Sequence, residues 1–376
     1  MEMSLKLSQA KIERLNLKHF RCYKEVDIVF HPHINLLTGG NAQGKTSLLE
    51  AIFLLSVGRS HRNVHDSDMI THGEDFSRIE GHITQQQQHK RLEMVLSENG
   101  KKARINHVEY RRLSDYVGRV HVVMFAPEDL QIVKGGPSNR RNFMDAALSQ
   151  VNPYYVHHLS RYRKVLKERN EHLKSLQRED SKTLLDVFDE RLAHYAEKII
   201  KARKFFLQRI ERKASGIYQA ISREKAPQII YEPSAEESDF KKKLLNKRSL
   251  DILAGSTSTG PHRDDCGFHL EERPFKKTAS QGQTRTLALS MKLAEADYMR
   301  EETNSPPIIL LDDIFSELDY ERQKNILKRF DPSAQIFITS TEVEHPLLES
   351  LKQYKHFSIQ EGKIEGVSTH GTTSEL

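Results

Sequence analysis

Gly39-Gly40-Asn41-Ala42-Gln43-Gly44-Lys45-Thr46 is a G-x-x-x-x-G-K-T stretch, and its flanks decide how it is read. Ile34, Leu36 and Leu37 before it have the apolar character of a strand. Leu48, Leu49, Ala51, Ile52 and Leu55 after it fall on a helix that ends near Gly58. A glycine-rich loop between a strand and a helix is a phosphate-binding loop. Backbone N–H groups from Gly39 through Ser47 close around phosphates, Lys45 supplies a point charge to the outer phosphates, and the Thr46 hydroxyl is placed to ligate Mg²⁺. The chain is therefore expected to bind ATP or GTP.

Near the other end, Ile308-Ile309-Leu310-Leu311-Asp312-Asp313 is an aliphatic run that finishes in two carboxylates. This is the pattern of a buried parallel strand delivering acids to the carboxyl edge of a sheet, the edge at which a phosphate loop opens. Asp312 is the expected Mg²⁺ partner, and Asp313 is placed to orient or deprotonate an attacking water. Ser316-Glu317-Leu318-Asp319 follows directly. Between the two motifs, Ser280-Gln281-Gly282-Gln283 opens a segment with Leu287, Met291, Ala294 and Tyr298 on one helical face. The free N–H groups and positive dipole end of such a helix start suit an anion.

Composition narrows the class. No run approaches the roughly 20 apolar residues of a membrane-spanning helix, and the N-terminus lacks an apolar signal core, so a cytoplasmic protein without a membrane partner is expected. Cys22 and Cys266 are the only cysteines, which excludes a disulfide framework. The 19 His residues are scattered, and no metal beyond nucleotide-bound Mg²⁺ is expected.

The roughly 230 residues between Lys45 and Ser280 exceed what a minimal nucleotide-binding head needs, so they are expected to hold a second lobe. Leu185, Phe188, Leu192, Tyr195, Ile199, Ala202 and Phe206 form a heptad-like seam. A weaker one runs through Leu159, Tyr162, Leu166, Leu173 and Leu176, interrupted by Arg169, with a turn at Asp180 and Ser181. An antiparallel helical hairpin follows, its longer helix on the order of 55 Å. Residues 138–250 carry 25 Lys plus Arg against 15 Asp plus Glu, a net +10, whereas the whole chain is +6. Such a lobe suits sequence-independent binding of DNA through its phosphates. The candidate contacts are Arg140, Arg141, Arg161, Arg163, Lys164, Lys201, Arg203 and Lys204, with a further cluster at Lys241 to Lys243, Lys247 and Arg248. Residues 127–145 read as an extended segment, a Gly-Gly-Pro turn and a helix capped by Ser138. Arg140 and Arg141 in its first turn oppose the helix dipole, which marks them for phosphate or partner contact.

The order phosphate loop, S-x-G-Q helix start, aliphatic strand ending in Asp-Asp, then S-E-L-D resembles that of ABC-type ATPase heads. In that family two heads sandwich the nucleotide. The resemblance implies that Ser280-Gln281-Gly282-Gln283 is the signature segment, Ser280 and Gly282 meeting the γ-phosphate held by a partner copy, and that Ser316 to Asp319 lie along the dimer interface. Transporter-type heads commonly have Glu where Asp313 stands, so slow turnover is expected. They place His after the last head strand, where this chain has hydroxyls, and Thr341 is the expected counterpart.

Pro127 through Asp145 and Gly260-Pro261-His262-Arg263-Asp264-Asp265 resemble the two signature regions of the RecF family of recombination ATPases. Phe20-Arg21 with Tyr23, and Arg59-Ser60-His61-Arg62, are similar to that family near its nucleotide, which makes Arg21 a nucleotide-binding candidate. The expected fold is α/β: an ABC-type P-loop ATPase head, residues 1–120 and 251–376, with an inserted, mainly α-helical, basic lobe, residues 121–250, carrying a short antiparallel arm. The resemblance implies an ATP-dependent homodimer, with ATP and Mg²⁺, that binds gapped or single-strand/double-strand junction DNA. It further implies assistance to RecA loading with RecO and RecR, a part in the SOS response, and weak DNA-stimulated ATPase activity. A transporter-type energising subunit is the alternative, and it leaves the basic helical insertion unexplained.

Overall fold

The computed structural model describes residues 10–62, 64–85, 88–176, 183–315, 320–341, 351 and 353–371. The expected turn at Asp180 and Ser181 and the Ser316-Glu317-Leu318-Asp319 segment lie outside them. In chain order the elements are β1 (Ala10–Phe20), β2 (Tyr23–Val29), β3 (Ile34–Thr38), α1 (Lys45–Val57), β4 (Phe76–Gln85), β5 (Gln88–Ser97), β6 (Gly100–Ile105), β7 (Val108–Tyr110), α2 (Leu113–Tyr116) and β8 (Val122–Phe125). Then come α3 (Leu130–Lys134), α4 (Pro137–Val151), α5 (Pro153–Leu176), α6 (Thr183–Ser222), β9 (Gln228–Glu232), α7 (Phe240–Asn246), α8 (Arg248–Ala254), β10 (Asp265–Leu270), β11 (Arg273–Pro274), α9 (Phe275–Thr278) and α10 (Gln281–Thr303). The chain closes with β12 (Ile308–Leu311), α11 (Tyr320–Arg329), β13 (Ile336–Ser340), β14 (Tyr354–Gln360) and β15 (Lys363–His370).

The chain divides into two units, Met1–Asp129 with Glu295–Leu376, and Leu130–Ala294. In the first, a sheet ordered β15-β14-β3-β13-β12-β8 is parallel from β14 to β8, and an antiparallel sheet runs β2-β1-β4-β5-β6-β7. The aliphatic runs explain the parallel sheet: β8 and β12 are buried at every position, as strands covered on both faces must be. Gln335 links the two sheets. Its Oε1 accepts from the Ile12 N–H at 2.8 Å, and its Nε2 donates to the carbonyls of Ile12 and His31 at 2.9 Å each.

In the second unit α5 and α6 form the expected hairpin, and at 1.5 Å per residue the 40-residue α6 is about 60 Å long. Arg169 does not interrupt the α5 seam. It is part of it, fully buried between Asp189, at 2.7 Å, and Asp251, at 2.9 Å. A small β11-β10-β9 sheet packs with α4 and α6.

Three expectations need correction. The units do not part at 120 and 250: β8 is hydrogen-bonded to β12, which carries the head past residue 120, and β9 pairs with β10, which keeps residues beyond 250 in the helical unit. The segment from Pro127 is helical rather than extended, a 3₁₀ turn at Pro127–Asp129 running into α3. Helix α4 starts at Pro137 with Gly136 as its N-cap, because proline, lacking an N–H, fits the first helical position, and Ser138 lies inside the first turn. Among the described residues no helix is long and apolar enough to cross a membrane.

Candidate nucleotide and nucleic-acid sites

Parallel pairing brings the motifs of the first unit to one edge. Ser340 of β13 is opposite Thr38 of β3, and Leu311 of β12 is opposite Ile338 of β13 and Phe125 of β8. The loop after β3 and the two aspartates after β12 therefore emerge side by side. They line a cleft of about 210 Å³, Asn41 to Ser47 and Asp312 and Asp313 being joined there by Arg62, Thr339 and Thr341.

The phosphate loop is shaped for this place. Gly44 has φ 116°, and a Cβ there would lie 2.8 Å from the Tyr23 hydroxyl, which itself donates to the Gly44 carbonyl at 3.1 Å. Only glycine fits. Helix α1 starts at Lys45, so its first-turn N–H groups face the cleft. The Lys45 ammonium donates to the carbonyls of Gly39 at 2.6 Å and Gly40 at 2.7 Å. Burial lowers its pKa, and the nearby Asp313 and Asp312 act in the opposite direction.

Asp312 is 3 % and Thr339 2 % exposed. Asp312 Oδ1 accepts from the Thr46 hydroxyl and from the Thr339 hydroxyl, each at 2.9 Å, and the Thr339 Oγ1 accepts from the Asp313 N–H at 2.9 Å. Burial raises the Asp312 pKa, against the two hydroxyl donors. One hydroxyl and one carboxylate side by side, facing an amide-lined loop, form the hard-oxygen set that a nucleotide-bound Mg²⁺ takes, the remaining positions falling to phosphate and water. The residues present thus fit that ion. Thr339 was not singled out in the sequence, although a hydroxyl following the aliphatic run Ile336-Phe337-Ile338 carried the signal.

Arg21 sits outside this lining. Its guanidinium donates to both Glu50 oxygens, at 2.8 and 3.0 Å, and to the Asp68 carbonyl. Glu50, fully buried on α1, also accepts from the Ser60 hydroxyl, and Arg21 and Ser60 together hold its pKa below the usual value despite burial. The Ser60 Oγ then takes the Arg62 N–H at 3.1 Å, and Arg62 reaches Glu128 at 3.1 Å. Arg21 thereby braces α1 and the Ser60–Arg62 turn beside the cleft.

In the second unit, Ser280 caps α10 in a reciprocal box. The Gln283 N–H donates to Ser280 Oγ at 3.1 Å, and the Ser280 N–H donates to Gln283 Oε1 at 2.9 Å. Ser280, Gln281 and Gly282 are exposed. A Cβ on Gly282 would meet nothing closer than Ser280 Oγ at 3.9 Å, so nothing within this unit requires a glycine there.

The arginines sort differently from expectation. Arg203 is an interior residue, bonded to Asp145, Asp264, the Tyr155 hydroxyl and the Pro261 carbonyl. Arg140, 8 % exposed, is bidentate to Asp265 and also donates to the carbonyls of Ile132 and Gly135. Neither can reach a nucleic acid, since an arginine so paired would leave carboxylates uncompensated on departing. Arg141 is half-buried and donates to the Asp264 carbonyl. Arg163, Lys164, Lys201 and Lys204 are exposed and Arg161 is half-buried. The Gly260 to Asp265 stretch thus anchors α4 and α6 through Asp264 and Asp265.

Residues 11–365 match the family described as RecF/RecN/SMC N terminal domain. The chain is 42% identical over 366 residues to a protein of Ligilactobacillus salivarius named DNA replication and repair protein RecF, covering 94% of this chain and 97% of that one. A protein of the same name from Oceanobacillus iheyensis is 42% identical over 366 residues, covering 94% and 99%. A solved structure described as the recombination mediator protein RecF-ATP in the RecFOR pathway superposes with TM-score 0.89 at 35% identity, covering 97% of this chain and 99% of that one. An Smc head domain from Pyrococcus furiosus, at 15% identity and TM-score 0.54 over 96% of this chain and 97% of that one, shares the fold.

Proposed function

Because this chain belongs to the RecF family, we propose that it is an ATP-dependent DNA-binding protein of replication and recombinational repair, whose nucleotide cycle governs dimerisation and residence on DNA. The observation that carries the reading is the Lys45, Thr46, Asp312 and Thr339 constellation at the phosphate-loop edge, a site built for a nucleotide polyphosphate with Mg²⁺. The relative solved as RecF-ATP supports ATP as that nucleotide.

Each residue has a defined task. N–H groups of the loop and of the α1 start bind the phosphates, and Lys45 exchanges its carbonyl partners for the outer phosphate oxygens. Thr46 and Asp312 would hold the ion, which would neutralise phosphate charge when bound. Asp313, its N–H fixed by Thr339, orients or deprotonates water. The exposed α10 N-terminus, with the Ser280 hydroxyl and the Gln281 and Gly282 N–H groups, meets the γ-phosphate bound to a second copy. The exposed cations of α5 and α6 contact DNA phosphates without reading bases, on gapped or junction DNA. Dimerisation brings two such lobes onto one DNA, and affinity rises through effective concentration. The solved relative's place in the RecFOR pathway supports work alongside RecR and RecO, and assistance to RecA loading is what the family resemblance implies.

Sedimentation with ATP, with ADP and without nucleotide, with and without gapped DNA, tests this. ATP alone should give dimers, and these should bind DNA more tightly than the monomer does. Ser280→Arg should keep monomer ATP binding and lose the dimer. Wild-type monomers at saturating ATP, or DNA affinity independent of nucleotide, would refute the reading.

A further inference from the structure

We propose that Glu224 is a positioning residue for the Ser280–Gln283 segment, fixing the Gln283 side-chain amide so that the α10 N-terminus is held ready for phosphate. The inference rests on the reading of that segment as the contact to a second copy's nucleotide.

Glu224 lies just past the end of α6, in a backbone that is itself pinned. The Arg223 N–H donates to the Gln219 carbonyl at 2.9 Å, and Arg223 turns the chain with φ 60°. The Ser222 hydroxyl donates to the Tyr218 carbonyl at 2.8 Å and accepts the Glu224 N–H at 3.1 Å. From this anchored position the Glu224 carboxylate accepts a hydrogen bond from Gln283 Nε2 at 2.8 Å.

The chemistry of a primary amide makes that bond decisive. Gln283 must present Oε1 to the Ser280 N–H to close the cap. A half-turn about its last torsion would instead set an NH₂ group against an N–H, donor against donor. An ionised carboxylate only accepts, so Glu224 takes the NH₂ end and thereby selects the orientation in which Oε1 faces Ser280. With the cap closed, Ser280 Oγ accepts the Gln283 N–H and its own hydroxyl proton remains available to donate. Two further hydroxyls in this turn bond backward along the helix, Thr284 to the Ser280 carbonyl and Thr286 to the Gly282 carbonyl, each at 2.9 Å. Ser280 is thus the hydroxyl of the turn left facing outward, and Glu224 acts on it through Gln283.

The test compares Glu224→Ala and Glu224→Gln by sedimentation across an ATP titration, alongside ATP affinity measured at protein concentrations where only monomer is present. Glu224→Ala removes the acceptor and should raise the ATP concentration at half-dimerisation about tenfold, the cost of one charge-assisted hydrogen bond, with monomer ATP affinity unchanged. Glu224→Gln keeps an acceptor oxygen and should stay within about threefold of wild type. A merely structural role would lower melting temperature and monomer ATP affinity together. Wild-type dimerisation by Glu224→Ala, or equal impairment of both variants, overturns the proposal. Failure of wild type itself to dimerise with ATP overturns the reading beneath it, and the proposal with it.

Discussion

Thr339→Val keeps the shape of a buried side chain while deleting its hydroxyl, and it isolates what Thr339 does for Asp312. Two interactions vanish: the donor to Asp312 Oδ1 and the acceptor for the Asp313 N–H. A hydrogen bond to a charged group is worth about 1.5–3 kcal/mol, and an orphaned buried N–H costs about 1–3 kcal/mol. The cleft lets water reach part of the site, so the loss of stability at pH 7 should lie near the low end of that sum, about 2.5–4 kcal/mol. The carboxylate share depends on charge. Burial raises the Asp312 pKa above its unfolded value, so wild-type stability falls as pH rises from the unfolded value through the folded one, where the buried group must ionise. Removing a donor to the ionised form raises the folded value further, so the penalty of Thr339→Val is full above it and shrinks as pH falls through it. Urea unfolding of wild type, Thr339→Val, Asp312→Asn and the double variant measures this without acidifying the whole protein. The cycle should return a coupling energy of about 1–2 kcal/mol, since the uncharged amide that Asp312→Asn introduces needs the hydroxyl less. Additive losses, with no coupling, would refute the claim that Thr339 supports the ionised carboxylate.

Lys45→Ala should abolish ATP binding by titration calorimetry, because the ammonium that leaves the two loop carbonyls for the outer phosphates is deleted outright; wild-type affinity would sink the phosphate-loop assignment. Arg203→Met removes the buried cation between Asp145 and Asp264, and should cost about 3–5 kcal/mol in unfolding experiments, as breaking a buried pair does. The double variant Arg161→Ala, Lys164→Ala, which spares the ion pair of Arg163 with buried Asp145, should instead leave stability within about 1 kcal/mol while lowering DNA affinity, with the salt-dependence slope reduced by about 0.9 for each phosphate no longer neutralised. An unchanged slope would move the DNA-binding surface off α5.

How much of this was legible in the sequence follows from what the chemistry constrains. Phosphate and metal chemistry demands fixed residue types at fixed spacing, so the loop at Gly39 to Ser47, the carboxylates after Leu311 and the cap at Ser280 could all be read in one dimension. Thr339 was legible only in part: a hydroxyl after the aliphatic run could be seen, but its partner Asp312 is reached only once β13 is paired beside β12. The domain limits failed for the same reason: short β8 pairs with β12 far along the chain, and β10 reaches back to β9 across α7 and α8. The arginines are the more instructive case. In the sequence Arg169 reads as an interruption of its seam and Arg203 as a DNA contact, yet each falls on the apolar repeat of its helix, Arg169 between Val165 and Leu173 and Arg203 between Ile199 and Phe206. A cation in register with a seam is a signal of burial, and it predicts carboxylates facing it.

Removing these residues from the surface does not weaken the electrostatic case for DNA. Residues 130–294 hold 32 Lys plus Arg against 20 Asp plus Glu, a net +12. Among its described residues the buried cations are Arg140, Arg169, Arg203 and Lys292, and the buried anions are Asp145, Asp189, Asp251 and Asp264. These cancel. Among the described residues the whole excess therefore lies outside the interior of the unit, while the ion pairs that consumed the arginines tie α4 and α6 to the Gly260 to Asp265 turn and α5 to α6 and α8. The same residue type performs two separable tasks in one lobe: buried, it fixes the frame on which the helices lie; exposed, it supplies the positive field those helices present to a polyanion.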